Sequence, residues 1–195
     1  MPRPDRSRAA LIDTAAILFR RQGYAATGLN QILDEAGVKA GSLYHHFPGG
    51  KQELAAAVVS SAGEQIESVL RAALAGDAEV IAVVDRWLDM LAEGLAADWR
   101  DGCPVEPIAT ESVHASELVR RAAARAFDSW CAAIAERLQA DGWSPDRAAE
   151  TALAVVSIIE GALVLSRTKG DAAALSSAKA AVRAVLSKVF GGDRS

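Results

Sequence analysis

The chain has 195 residues, 51% of them hydrophobic and only 5% aromatic, with a formal net charge of −4. Such a composition supplies a sizeable core and excludes a disordered or collagen-like chain. Two distant cysteines, Cys103 and Cys131, exclude a disulfide scaffold and form no CxxC or Cys/His ligand cluster, so no metal or cofactor is expected.

Ala and Leu cost little backbone or rotamer freedom in a helix, and no alternating β-branched run bounded by turns occurs. The expected fold class is therefore all-α. Residues 6–21 read as an amphipathic helix with Leu11, Ala15, Leu18 and Phe19 on its buried stripe. Gly23 ends it, Thr27 is the expected N-cap of a short helix over 28–36, and Gly37 breaks that helix. A third short helix over 40–47 stops at Pro48-Gly49-Gly50.

Longer helices are expected over 51–75 (Leu54, Val58, Ala62, Ile66 and Val69 inward), 77–97 and 116–140. Residues 99–111, with Gly102, Pro104 and Pro107, are irregular and end in a short helix. Pro145 opens a helix to about Lys169 behind the cap Ser144, and Asp171 caps a last helix that includes Val182, Leu186 and Val189. The division expected is a three-helix head over 1–50, a helical body over 51–190 and a loose tail over 191–195. Residues 1–8 do not read as a signal peptide, and the apolar stretch 151–166 is shorter than the about 20 residues of a bilayer span. A cytoplasmic protein without a membrane partner is the expectation.

Two short helices joined by a Gly-containing turn, with Val38 just after the Gly, have helix-turn-helix spacing. Leu43 and Phe47, four apart, point inward, which leaves Lys39, Ala40, Ser42, Tyr44, His45 and His46 on or near the outer face. Small residues let a backbone lie close in a groove, while Lys, Ser, Tyr and His hydrogen-bond phosphates and base edges. Lys51 is a cation at a helix N-terminus, disfavoured by the helix dipole unless an anion such as phosphate sits there. Residues 1–55 carry seven Lys/Arg against five Asp/Glu, and the rest is acidic by six, a split that suits one DNA-facing end. By spacing alone, an ordinary helical hairpin with a wet face has the same pattern.

The run from Ala9 to Leu54 is specific beyond spacing. It includes Gly23-Tyr24, Thr27, Ile32, Ala36-Gly37-Val38, Gly41-Ser42-Leu43-Tyr44-His45-His46-Phe47 and Lys51-Gln52-Glu53-Leu54. It resembles the DNA-binding head of the TetR/AcrR family of bacterial regulators. The resemblance implies that Thr27, Tyr44, His46 and Lys51 hold backbone phosphates, with Lys39, Ala40, Gly41, Ser42 and His45 nearest the bases. It further implies a homodimer on a near-palindromic stretch of double-stranded operator DNA, repression as the usual mode, and an inducer site in the body. Phe47-Pro48-Gly49-Gly50-Lys51 with Gly102-Cys103-Pro104-Val105 is similar to the LmrA/YxaF-like branch, from which Glu106-Pro107 departs.

Residues 148–165 are apolar almost all round, so the helix that carries them must be buried on two sides. By periodicity, a central helix of one monomer and a subunit seam fit equally. The resemblance points to a seam through the last two helices, with Leu153, Val156, Ile159, Leu163, Val182 and Leu186 as candidates and Ala154, Ser157 and Gly161 allowing close approach. For a largely apolar small-molecule pocket the candidates are Trp87, Met90, Trp99, Cys103, Thr110, Phe127 and Trp130, each of which also reads as ordinary core. Glu106, Glu111 and His114 could form an acid–base group, but no nucleophile, phosphate loop or metal motif accompanies them, so no enzyme is expected. A DNA-binding scaffold that senses no ligand is the other alternative.

Overall fold

The computed structural model describes residues 6–100 and 102–187. Among them run nine helices and no strand: α1 (Ser7–Gln22), α2 (Leu29–Ala36), α3 (Ala40–His46), α4 (Lys51–Leu74), α5 (Val80–Ala97), α6 (Glu106–Ser112), α7 (Glu117–Ala140), α8 (Pro145–Lys169) and α9 (Ala173–Ser187). The tail 191–195 and Val189 lie outside the described residues. The helix order follows the apolar periodicity read from the sequence. Helix α5 starts at Val80 rather than at Asp77, because 75–79 form the turn that leaves α4.

Contacts group the chain into two compact units. The first unit spans 1–64 and 103–126. It contains α1, α2, α3, residues 51–64 of α4, the whole of α6 and the start of α7. Its core joins Leu11, Phe19, Ile32, Leu43, Phe47 and Leu54 to Val105, Ile108 and Val119, all 1% exposed or less. Three short helices alone bury too little to be stable, and each large apolar side chain removed from water contributes about 1.5–3 kcal/mol. Segment 103–126 supplies the missing apolar cover. Within this unit, α4 meets α7 closely at Gly63, where a Cβ would come 2.7 Å from the Ala126 Cβ.

The second unit spans 65–102 and 127–195. Helix α9 packs against α8 and α5 there, around Leu88, Leu95, Ile134, Leu138, Val155, Leu175, Val182 and Leu186, each at most 2% exposed. The C-terminal end of α4 is fixed by Arg137 of α7. Its guanidinium donates to the carbonyls of Leu74, Gly76 (2.9 Å) and Ala78 (2.9 Å), and it pairs with Asp141 at 3.0 Å. These bonds satisfy carbonyls that a helix terminus otherwise leaves open. The stripe expected along α4 is correct at Leu54 and Val58 but drifts later. Val69 is 54% exposed, and Leu70 and Leu74 are buried instead.

Helix α8, at 25 residues, extends beyond its apolar stretch, and it meets the requirements for crossing a bilayer by length and composition only, as the core helix of a globular protein also can. Ser144 occupies its N-cap position without a side-chain capping bond, and Gly170 ends it with φ 70°. Asp171 accepts from the Ala173 N–H at 3.0 Å at the start of α9, as its capping role requires.

Candidate DNA interface

The helix-turn-helix closes through Gly37, whose φ of 64° and ψ of 31° are costly for any residue with a Cβ. The N–H groups of Gly37 and Val38 return to the carbonyls of Asp34 (3.2 Å) and Leu33 (3.0 Å), which terminates α2. Lys39 is then extended and holds the N-cap position of α3. Leu43 and Phe47 are buried, so the opposite face is presented outward. Lys39, Ala40, Gly41, Tyr44 and His45 are exposed, and Ser42 and His46 half-buried. A Cβ added at Gly41 would meet open space, so nothing on the protein side obstructs a close approach there. The His45 and His46 rings lie 5.0 Å apart, edge to face. The structure thus brings seven of the nine expected DNA residues together on one short helix and its cap, none of the seven fully buried.

The other two are placed differently. Thr27 is fully buried, and its hydroxyl donates to the Gly23 carbonyl at 2.7 Å and accepts from the Gln22 amide at 3.2 Å. It is not the cap of α2, a position that Gly28 holds. Any effect of Thr27 on a phosphate passes through the turn it braces, not through its own hydroxyl. Gln22 also donates to Gln31 at 2.8 Å, which ties α1 to α2.

Lys51 is half-buried at the first position of α4, its Nζ 4.3 Å from the centre of the Tyr24 ring. Partial burial pushes its ammonium below the ordinary lysine value, and the Glu111 carboxylate opposes that shift. Glu53 reaches back to the Gly49 N–H at 2.7 Å and supplies the negative charge that the start of α4 favours. Sequence reasoning missed Glu111 as part of this corner. Its Oε2 accepts from the Ala25 N–H at 2.6 Å across 86 residues of chain, a pairing with no local signal.

The expected small-molecule residues are divided between the two units. Trp87, Met90, Trp99, Phe127 and Trp130 belong to the second unit, Cys103 and Thr110 to the first. Phe127 and Trp130 meet edge to face at 5.2 Å, Trp130 is buried, and Met90 is 49% exposed. The Cys103 sulfur accepts from the N–H groups of Val105 and Glu106 at 3.4 Å, so it serves the start of α6. The Thr110 hydroxyl donates back to the Glu106 carbonyl at 3.0 Å. A cavity of about 540 Å³ in the first unit is bordered by Arg8, Glu53, Glu64 and Arg125, and one of about 170 Å³ in the second by Trp143 and Leu138. None of the seven residues lines either.

The six expected seam residues differ in exposure within the single chain. Val156, Ile159, Leu163, Val182 and Leu186 are at most 9% exposed within the second unit, because they face its own core. Only Leu153, at 61%, is open. It continues with Ser157, Gly161, Val164, Leu165 and Thr168 along one uncharged stripe of α8, with Val164 and Leu165 43% and 51% exposed.

Residues 11–58 match the family model of bacterial regulatory proteins of the tetR family, and residues 80–181 that of the LmrA/YxaF-like transcriptional regulator C-terminal domain. The regulator LmrA of Bacillus subtilis is 36% identical over 163 residues (83% of this chain, 87% of that protein). YxaF of the same organism is 35% identical over 166 residues (85% and 87%). An uncharacterized helix-turn-helix-type transcriptional regulator of Mycobacterium tuberculosis is 36% identical over 169 residues (84% and 86%). Among solved structures, a TetR regulator from Legionella pneumophila superposes with a TM-score of 0.80 at 20% identity, covering 94% of this chain and 98% of its own. One from Chloroflexus aurantiacus gives 0.77 at 26% identity, covering 96% and 98%. The protein is not an enzyme: it belongs to the TetR family of DNA-binding transcriptional regulators, in its LmrA/YxaF-like branch.

Proposed function

We propose that the protein is a cytoplasmic, homodimeric repressor that occupies a near-palindromic operator and is released from it by a small apolar or aromatic inducer. The observation that carries this reading is the contrast between two exposed helix faces. The outer face of α3 offers Lys39, Ser42, Tyr44, His45 and His46 around the small residues Ala40 and Gly41, which suits a major groove. The open face of α8 offers Leu153, Val164 and Leu165 with Ser157 and Gly161 between them, and suits a second copy of the same helix. Self-association through one such face generates two-fold symmetry, and two-fold symmetry places two reading helices on two half-sites. Within this reading Tyr44, His46 and Lys51 contact phosphates, and Lys39, Ala40, Gly41, Ser42 and His45 lie nearest the bases.

The inducer reading is supported by the aromatic side chains Trp87, Trp99, Phe127 and Trp130, all in the second unit. An inducer acts only by the difference in its affinity for the DNA-bound and released forms, typically about 1–3 kcal/mol of coupling. Operator DNA must then weaken inducer binding by the same factor.

Selection of bound duplexes from a random pool tests the first part. A site with two half-sites about 34–36 Å apart, bound less tightly as salt rises, is the expected result. A non-palindromic consensus bound by one copy would refute it. Tryptophan fluorescence titration of an apolar compound library, with and without the selected operator, tests the second part. Compounds that bind equally in both cases are not inducers, and a library with no binder favours the non-sensing scaffold. Transcription from a promoter overlapping the operator should fall when the protein is added.

A further inference from the structure

We propose that Glu111 is an internal competitor for Lys51: its carboxylate occupies the anion-binding corner of the reading head and restrains the charge that Lys51 can give to DNA. The inference rests on the reading that Lys51 contacts a DNA phosphate.

The corner is built entirely within the first unit. Glu111 stands on α6, and its Oε2 accepts from the Ala25 N–H at 2.6 Å in the α1–α2 turn. Its Oε1 fills the space beside Gly23, where a Cβ would come within 2.6 Å of it. Gly23 adopts a φ of 91°, so the turn is both shaped for glycine and emptied of side chain where the carboxylate enters. The next residue, Tyr24, carries the ring over which the Lys51 ammonium lies at 4.3 Å. A free backbone N–H beside an ammonium is the arrangement that captures a phosphate oxygen. Here a carboxylate from α6 already holds the N–H, and its charge acts on Lys51.

A carboxylate in that place has two consequences for a head approaching DNA. It repels the phosphate that Lys51 would neutralise, and it withholds part of the ammonium charge from counterion exchange. Both effects ignore base sequence. Glu111 therefore acts as a positioning residue that sets overall affinity and leaves the consensus to α3. Because Glu111 is carried by α6, any displacement of α6 alters both the grip on Ala25 and the charge at Lys51.

The experiment compares wild type, Glu111→Gln, Lys51→Met and the double variant on operator and on random duplex DNA across a range of salt. Glu111→Gln keeps an oxygen for the Ala25 N–H and removes only the charge. It should tighten binding to both DNAs by about five- to tenfold and steepen the log–log salt slope by up to about 0.9, the worth of one phosphate contact. The selected consensus should not change, and Lys51→Met should abolish the gain. A purely structural Glu111 would move the melting temperature but not the salt slope. Glu111→Asp, with the same charge on a shorter arm, should keep the wild-type slope and serves if the Gln variant folds poorly. An unchanged slope in Glu111→Gln, where Lys51→Met does flatten it, overturns this inference alone. An unchanged slope in Lys51→Met overturns the phosphate reading of Lys51 and this inference with it.

Discussion

Replacing Leu153 and Leu165 tests the assembly on which the operator reading depends. Full burial of a leucine side chain contributes about 1.5–3 kcal/mol, and Leu153 is 61% exposed in the single chain. Covering the remainder should therefore contribute about 0.9–1.8 kcal/mol per copy, and a two-fold seam contains the residue twice. Leu153→Ala, which keeps part of the apolar surface, should then weaken the dimer by about 2 kcal/mol, close to thirtyfold in the dissociation constant. Leu153→Asp with Leu165→Asp places four carboxylates in the seam, and desolvating unpaired charges should abolish association at micromolar concentrations. Sedimentation velocity reads the mass, far-ultraviolet circular dichroism confirms the helices, and operator titration reads the functional cost. Val156→Asp is the contrast: Val156 faces the core of its own chain, so this variant should lose its fold rather than yield a folded monomer. A folded Leu153→Asp/Leu165→Asp dimer with wild-type operator affinity would refute the placement of the seam.

Removing Arg137 should be costly, because its three carbonyl acceptors at the end of α4 lose charge-assisted bonds. Arg137→Ala should destabilise by about 3 kcal/mol in urea unfolding, and a loss below about 0.5 kcal/mol would contradict the capping role. At the contact of α4 with α7, Gly63→Ala forces a Cβ to within 2.7 Å of Ala126 and should cost about 1–3 kcal/mol in the same assay. Pairing it with Ala126→Gly should recover much of that loss, and no recovery would show that the contact is not responsible. Gly37→Ala, at a left-handed φ of 64°, should lower the melting temperature by the equivalent of about 1 kcal/mol. Lys51→Met removes a partly desolvated charge, so DNA affinity should drop while thermal stability holds or rises. Equal losses in both would mean that Lys51 serves the fold instead of the DNA.

The reading head was legible because its signals are local. Gly37, the four-residue spacing of Leu43 and Phe47, and the stop at Pro48-Gly49-Gly50 dictate where α3 lies and which of its faces is wet. Helix α8 was legible in extent for the same reason, since Pro145 can only begin it and Gly170 with positive φ ends it. Its orientation was not. A segment apolar on every side has no periodicity to distinguish Val156, which faces the chain's own core, from Leu153, which stays open. Only the packing of α9 against α8 decides that. Cys103 and Thr110 read as pocket candidates from their chemistry alone, and nothing in the sequence signals that the sulfur and the hydroxyl also bond the backbone at the start of α6. Thr27 had the right residue type for a cap, yet the turn directs its hydroxyl inward to Gly23 and leaves the cap to Gly28. Glu111 had no signal for its place beside the α1–α2 turn. Its partner is a backbone N–H 86 residues away, and backbone donors look alike in every sequence. Pattern and capping act over a few residues and belong to the sequence, whereas contacts that cross the chain exist only once α6 has packed against α1.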